Sequence, residues 1–176
     1  MNMTLTGKRI TLTTLTPADF FSALDVYNSN PAYNEATLGT PDRTMQDLQL
    51  EYETYAPIPS SHWLGIWTKE RMIGLTHLLI ENPHDQKSWI GLLLIHQDWQ
   101  RQGYGREALA LLENHVQEMN RDYLHTGILA QDTASLHFFG TNGYEQYRQI
   151  EGTYGQLIQP ILMLVKPMND SAFSLS

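Results

Sequence analysis

A chain of 176 residues with 41% hydrophobic content is most simply one globular domain, residues 1–176, with a single core. The formal charge of -8 argues against a phosphate-backbone partner, because nucleic-acid binders carry a basic stripe. The lack of cysteine excludes disulfides, a thiol nucleophile and a cysteine zinc site, and no apolar run approaches the roughly 18 residues of a membrane span. The Met1-Asn2-Met3-Thr4 start lacks the basic and apolar regions of a signal peptide, so a cytoplasmic protein is expected.

In chain order, Arg9 to Thr13 alternates and is rich in β-branched residues, which predicts a first strand. Thr16-Pro17-Ala18-Asp19 is a helix start: Thr16 can cap, Pro17 suits the first turn and Asp19 complements the dipole. That helix carries Phe20, Leu24 and Tyr27 and stops near Asn30-Pro31; Ala32 to Pro41 reads as irregular. A second helix starts after Thr44 with Leu48, Tyr52 and Tyr55, and Pro57 to Ser61 breaks it. Strands follow at His62 to Thr68 and Met72 to Ile80, then a turn at Asn82 to Asp85.

The next stretch organises the chain. Trp89 to Ile95 is a short apolar run of the kind expected when both faces of a sheet are covered. Beyond the loop Gln100 to Arg106, Ala108, Leu109, Leu112, Val116 and Met119 fall on one helical stripe. Tyr123 to Ala130 predicts a strand, and Ser135 to Thr141 a short helix ended by Asn142-Gly143. Tyr144 to Ile150 and Pro160 to Val165 predict closing strands around a Gly152 to Gly155 loop, and Met168 to Ser176 a frayed tail.

The loop speaks about chemistry. Gly103 and Gly105 let the backbone turn tightly and approach a ligand without a Cβ in the way. The first amides of the helix then point, unpaired, at whatever sits before them. Arg101 and Arg106 flank that point, although a helix start favours acidic residues; cations there imply an anion, a phosphate above all. A bland turn would need only one glycine. Gly103 to Ala108 also fits a dinucleotide fingerprint, but seven residues, His96 to Gln102, part it from the strand, where that fingerprint follows directly. No Walker pattern is present.

Gln100-Arg101-Gln102-Gly103-Tyr104-Gly105 resembles the Gln/Arg-x-x-Gly-x-Gly/Ala signature of the GNAT superfamily of N-acetyltransferases. Asp132-Thr133-Ala134-Ser135, His137-Phe138-Phe139 and Asn142-Gly143-Tyr144 resemble its second signature, and the likeness in order runs from Lys8 to Lys166, a core of about residues 8–166. The resemblance implies acetyl-CoA as cosubstrate; the seven histidines show no His-Glu-x-x-His pattern or metal spacing, so no metal is expected. Amides around Leu93, Leu94 and Ile95 would pair with the pantetheine arm, where the strand after the helix splays away. The loop Arg101, Gln102, Gly103, Tyr104, Gly105 and Arg106 would hold the pyrophosphate, with Asp132 also in the cofactor site.

Two positions depart from the pattern. The family's usual tyrosine acid falls at Phe139, and Asp132 replaces the usual asparagine. Tyr144, Tyr104 and His137 are the substitute acids, Tyr144 the first of them; Glu35 and Glu81 are candidate bases. Tyr33, Asn34 and Glu35 sit where the family closes a loop over its acceptor. His77 and His125, inside predicted strands, read as hydrogen-bonded structural residues, and Tyr27, Tyr52 and Tyr55 as core.

These readings converge on an α/β domain: a mixed, mostly antiparallel sheet of about seven strands with helices on both faces. The expected function is transfer of an acetyl group from acetyl-CoA to a primary amine of a small molecule or peptide, by direct attack because no cysteine can carry an intermediate. The alternative is a non-catalytic acyl-CoA-binding or sensing domain; a nucleotide-dependent oxidoreductase is disfavoured by the strand-to-glycine spacing. No nucleic acid or membrane partner is expected, and a homodimer is left open.

Overall fold

The structure is a computed structural model that describes residues 2–154 and 156–169. The elements are β1 (Thr4–Thr6), β2 (Thr11–Thr14), α1 (Phe20–Asn28), α2 (Pro31–Leu38), α3 (Met45–Tyr55), β3 (Ser61–Trp67), β4 (Met72–Leu79), β5 (Ser88–Ile95), α4 (Tyr104–Glu118), β6 (Tyr123–Leu129), α5 (Thr133–Thr141), β7 (Glu145–Tyr154) and β8 (Leu157–Pro167). They build one eight-stranded sheet in the order β1-β2-β3-β4-β5-β6-β8-β7. Every neighbouring pair is antiparallel except β5 and β6. The mixed, mostly antiparallel sheet is as expected. Its eighth strand, β1, is a three-residue ladder of Thr4–Thr6 on Thr11–Thr13, too short for alternation to reveal.

Two hydrophobic clusters, rather than the expected single core, cover the sheet. On one, Ala108, Leu109, Leu112 and Val116 of α4 pack with Leu12, Ile73, Ile90 and Leu124. On the other, Phe20, Ala23, Val26 and Tyr27 of α1 and Leu48 of α3 pack on Leu75, Leu92 and Leu94. The alternation Leu92, Leu93, Leu94, Ile95 serves both clusters, which is why β5 reads as continuously apolar. Met119 leaves the predicted stripe: it ends α4 and is 51% exposed.

Three local expectations change. The segment expected to be irregular after Asn30 is helix α2, which starts at Pro31 in its first turn and ends at Gly39, whose φ of +81° is left-handed. Proline and glycine bound this helix instead of breaking it. Strands β7 and β8 run beyond their predicted limits, paired from Glu145 with Val165 to Tyr154 with Leu157. Gly152 to Tyr154 are therefore strand, while Gly155 and the tail beyond Asn169 lie outside the described residues. The hairpin is held by docking on α2: the Gln156 amide donates to the Thr37 carbonyl at 2.7 Å and Gln159 Nε2 to the Ala36 carbonyl at 2.7 Å.

Two irregularities in β5 position the site. In the ladder with β4, His77 pairs with Leu92 and Leu78 with Ile90, so Gly91 is an extra, bulged residue without a register partner. A Cβ on Gly91 would lie 2.6 Å from His77 Nδ1, so only glycine fits. In the ladder with β6, pairing spans only Ser88–Ile90 with Leu124–Thr126. Strand β6 meanwhile stays paired to β8 along its length. Beyond Ile90 the sheet therefore opens into a V.

Candidate active site

A cleft of about 1070 Å³ fills that V. Gly91 to Ile95 line one arm and Thr126, Ile128 and Leu129 the other. Arg101, Gly103, Gly105 and Arg106 border it at the start of α4, and Asp132, His137, Phe138 and Phe139 border it from α5 and its cap. Tyr33 of α2 and Tyr154 of β7 complete the wall. The wall is mostly apolar, with a cationic end at α4.

The cationic end is built from behind. Arg9 donates from its amide and Nε to the Glu107 carboxylate at 2.7 and 2.8 Å, and from Nη1 to the Gln102 carbonyl at 2.9 Å. Burial alone would raise the Glu107 carboxyl, but these hydrogen bonds outweigh it and hold the group below its ordinary value. The single acidic side chain in the first turn of α4 is thus already paired. Arg101 and Arg106 are exposed and take part in no ion pair among the described residues. Both charges, with the helix dipole, act on the cleft.

The glycines divide the work differently from the sequence expectation. Gly103 has φ +86°, and a Cβ there would point at Arg9 Nη2, 3.0 Å away; its freedom serves the turn. At Gly105 a Cβ would meet Ile95 and Phe138 at an ordinary 3.6 Å. Gln102 and Tyr104, expected to hold the pyrophosphate, do not line the cleft. Gln102 Nε2 donates to the Asp98 carbonyl, and the Tyr104 ring lies 4.3 Å beneath the Arg9 guanidinium. They brace the loop from outside. Gln100 and Asn30 both donate to the Ile95 carbonyl, at 2.8 and 3.1 Å, which ties the end of β5 to the α1–α2 junction.

The structure separates the expected acids and bases. Tyr144 is outside the cleft: its phenol donates to Glu113 Oε1 at 3.0 Å, and Lys166 holds the same carboxylate. Burial first, then the Glu113 charge, push the Tyr144 phenol far above its ordinary value. Glu81 sits in the turn that precedes β5, ion-paired with Arg121 at 2.9 Å, at the opposite end of that strand from the glycine loop. Glu35 is exposed on α2 and does not border the cleft. Phe139 does border it, while packing edge-on against Phe138 and Tyr144. Asp132 caps α5 by accepting from the Ser135 amide at 3.0 Å. Among the described residues no cluster of metal-ligating side chains forms, and no helix is long and apolar enough to cross a membrane.

Sequence reasoning misses Arg9, Gly91 and Tyr154. Arg9 is far from the loop in sequence, Gly91 is one glycine in an apolar run, and Tyr154 falls in a stretch expected to be loop.

His77 and His125 are structural, as expected. His77 Nε2 lies 2.7 Å from Ser61 Oγ, and its ring stacks on Trp63 at 4.5 Å, leaving it 4% exposed. Burial pushes its pKa down to about 4, from an ordinary 6.5. The unfolded chain therefore binds a proton that the folded chain refuses between these values. The stability involved is fully present above pH 6.5 and is lost as pH falls through about 4. Over that window His77→Gln reduces the pH slope of unfolding free energy by up to about 1.4 kcal/mol per unit. Urea titrations at pH 7, 6 and 5 check it; parallel slopes for the two proteins would refute it.

Known proteins share this fold. The model of the Acetyltransferase (GNAT) family matches residues 26–144. Among the curated proteins none matches the sequence. The solved structures give the fold. An acetyltransferase from Salmonella typhimurium that modifies the N-terminal serine of ribosomal protein L7/L12 superposes with a TM-score of 0.79 at 11% identity, covering 95% of this chain and 100% of that one. An acetyltransferase from Thermus thermophilus gives 0.73 at 21% identity, covering 94% and 99%. The spermidine N-acetyltransferase of Vibrio cholerae, solved with CoA and spermine, gives 0.70 at 14% identity, covering 92% and 97%. The family model spans most of the chain and contains both the glycine loop and the opening of the sheet, so the chain belongs to the GNAT acetyltransferase family.

Proposed function

We propose that the protein moves an acetyl group from acetyl-CoA to a primary amine of a small molecule or peptide by direct attack. The observation that carries this reading is the parting of β5 from β6 beyond Ile90, directly in front of an α4 N-terminus flanked by two arginines that make no ion pair among the described residues. An extended arm can lie along Gly91 to Ile95 as a strand would. Its phosphates then meet the α4 amides, Arg101 and Arg106. A strand amide near the Gly91 bulge can donate to the thioester carbonyl oxygen as charge builds there. The acceptor enters from the α2 side of the cleft, where Tyr33 and Tyr154 both border it. Relatives in fold that act on spermidine or on an N-terminal serine support an amine as acceptor.

The test is free thiol release from acetyl-CoA over a panel of primary amines that includes polyamines and short peptides. Release that depends on the amine is expected, and the chain has no cysteine, so initial rates follow a sequential pattern. A ping-pong pattern would overturn direct attack. Acetyl-CoA at about a hundred times its dissociation constant also stabilises the fold by about 2.7 kcal/mol. Phe139, where the family's usual acid falls, favours a second reading, acyl-CoA binding without turnover. Thermal stabilisation with no thiol release from any amine would select it.

A further inference from the structure

We propose that the Tyr154 phenol, at the end of β7, donates the proton to the departing CoA thiolate in place of the phenol that Phe139 lacks. This rests on the acetyl-transfer reading above. Tyr154 borders the same cleft as Phe139, Asp132 and the Gly91 bulge, entering its wall from β7 where Phe139 enters from α5, and it lies near enough to Asp132 to feel that charge. The other phenols near the motifs are committed elsewhere: Tyr144 to Glu113, and Tyr104 beneath Arg9. His137 borders the cleft but is exposed, and no hydrogen bond among the described residues orients it.

The placement of Tyr154 is built, not incidental. The hairpin that carries it is pinned to α2 through Gln156 on Thr37 and Gln159 on Ala36. That docking sets Tyr154 close to Tyr33, which is itself stacked on Tyr27, 6.2 Å between ring centres. Burial and the Asp132 charge push the Tyr154 phenol up to about 12, with the nearby Tyr33 hydroxyl opposing them in part. A phenol is protonated at neutral pH even without this shift, so the donor is loaded, although the shift makes it a weaker acid than a free tyrosine.

The step balances. As the acetyl C–S bond breaks, its electron pair stays on sulfur, and the proton on Tyr154 Oη moves to that sulfur to give the free thiol. The amine nitrogen, now bonded to the acetyl carbon, loses one proton. That proton returns to the phenolate by way of Tyr33 and solvent at the cleft mouth, so the enzyme ends as it began.

Tyr154→Phe tests the assignment. With acetyl-CoA, kcat falls about a hundredfold while KM for acetyl-CoA changes less than about threefold. With 4-nitrophenyl acetate as acyl donor, whose phenolate leaves without protonation, variant and wild type transfer at the same rate. Calorimetry supplies a readout independent of turnover: the wild type binds CoA more tightly than desulfo-CoA, and the variant loses that preference. Thermal melting with CoA shows that the variant is folded. Tyr33→Phe, which keeps the donor and removes the hydroxyl near it, gives a smaller loss with acetyl-CoA only. An unchanged kcat in Tyr154→Phe, or an equal loss with both acyl donors, would overturn the proposal. Should the wild type bind acetyl-CoA yet release no thiol with any amine, acetyl transfer falls as the function. The CoA and desulfo-CoA comparison then decides by itself whether Tyr154 meets the sulfur.

Discussion

Arg101→Ala combined with Arg106→Ala lowers affinity for CoA about a hundredfold, with little change in the melting temperature of the free protein. The magnitude follows from losing two charge-assisted hydrogen bonds at the low end of their range, because both side chains are exposed and screened. Stability is spared because neither arginine makes an ion pair among the described residues; Arg9, the cation that does hold the loop, is left in place. Titration calorimetry at two salt concentrations checks the loss and its electrostatic origin. An affinity within about threefold of wild type would move the anion site away from the start of α4. Arg9→Ala gives the complementary pattern. It frees Glu107 and the Gln102 carbonyl, so it costs stability as well as affinity.

Phe139→Tyr leaves the wild-type rate unchanged but restores turnover to Tyr154→Phe by about tenfold or more. If Tyr154 is the donor, a second phenol on α5 is redundant in the wild type and decisive once the first is gone. The substitution adds one hydroxyl to a ring that already borders the cleft, so the oxygen has a polar opening to face and packing against Phe138 and Tyr144 is kept. General acid assistance of about a hundredfold to ten-thousandfold leaves ample room for the rescue to register. A large gain from Phe139→Tyr in the wild type would mean that thiolate departure goes unassisted there, and Tyr154 would lose its role.

Local chemistry was legible wherever it is carried by neighbours in sequence. The apolar run at β5 and the stripe from Ala108 to Val116 reappear as read, and Arg101 and Arg106 border the cleft at the start of α4. The helix starts at Thr16 and Thr44 also stand, the latter as a reciprocal cap with Asp47. Helix α2 was lost because Pro31 and Gly39, which bound it, are also the residues that end structure. Strand β1 was lost because three residues carry no usable period. The candidate acids and bases fared worst. Tyr144 and Glu81 carry suitable groups, but each is consumed by a partner more than 30 positions away in sequence, Glu113 and Arg121.

What the sequence determined by itself is therefore the cationic glycine loop, the helix behind it and the absence of a thiol, since these depend on composition and spacing alone. What only the tertiary structure decided is which side chains share the cleft. The parting of β5 from β6 and the bulge at Gly91 depend on register between strands distant in sequence. The arrival of Tyr154 at the cleft wall depends on a hairpin held by α2 through backbone carbonyls, a contact that any side chains at Ala36 and Thr37 would permit. Hydrogen bonds to main-chain atoms leave no mark on residue type, and so this wall of the cleft was invisible until the chain was folded.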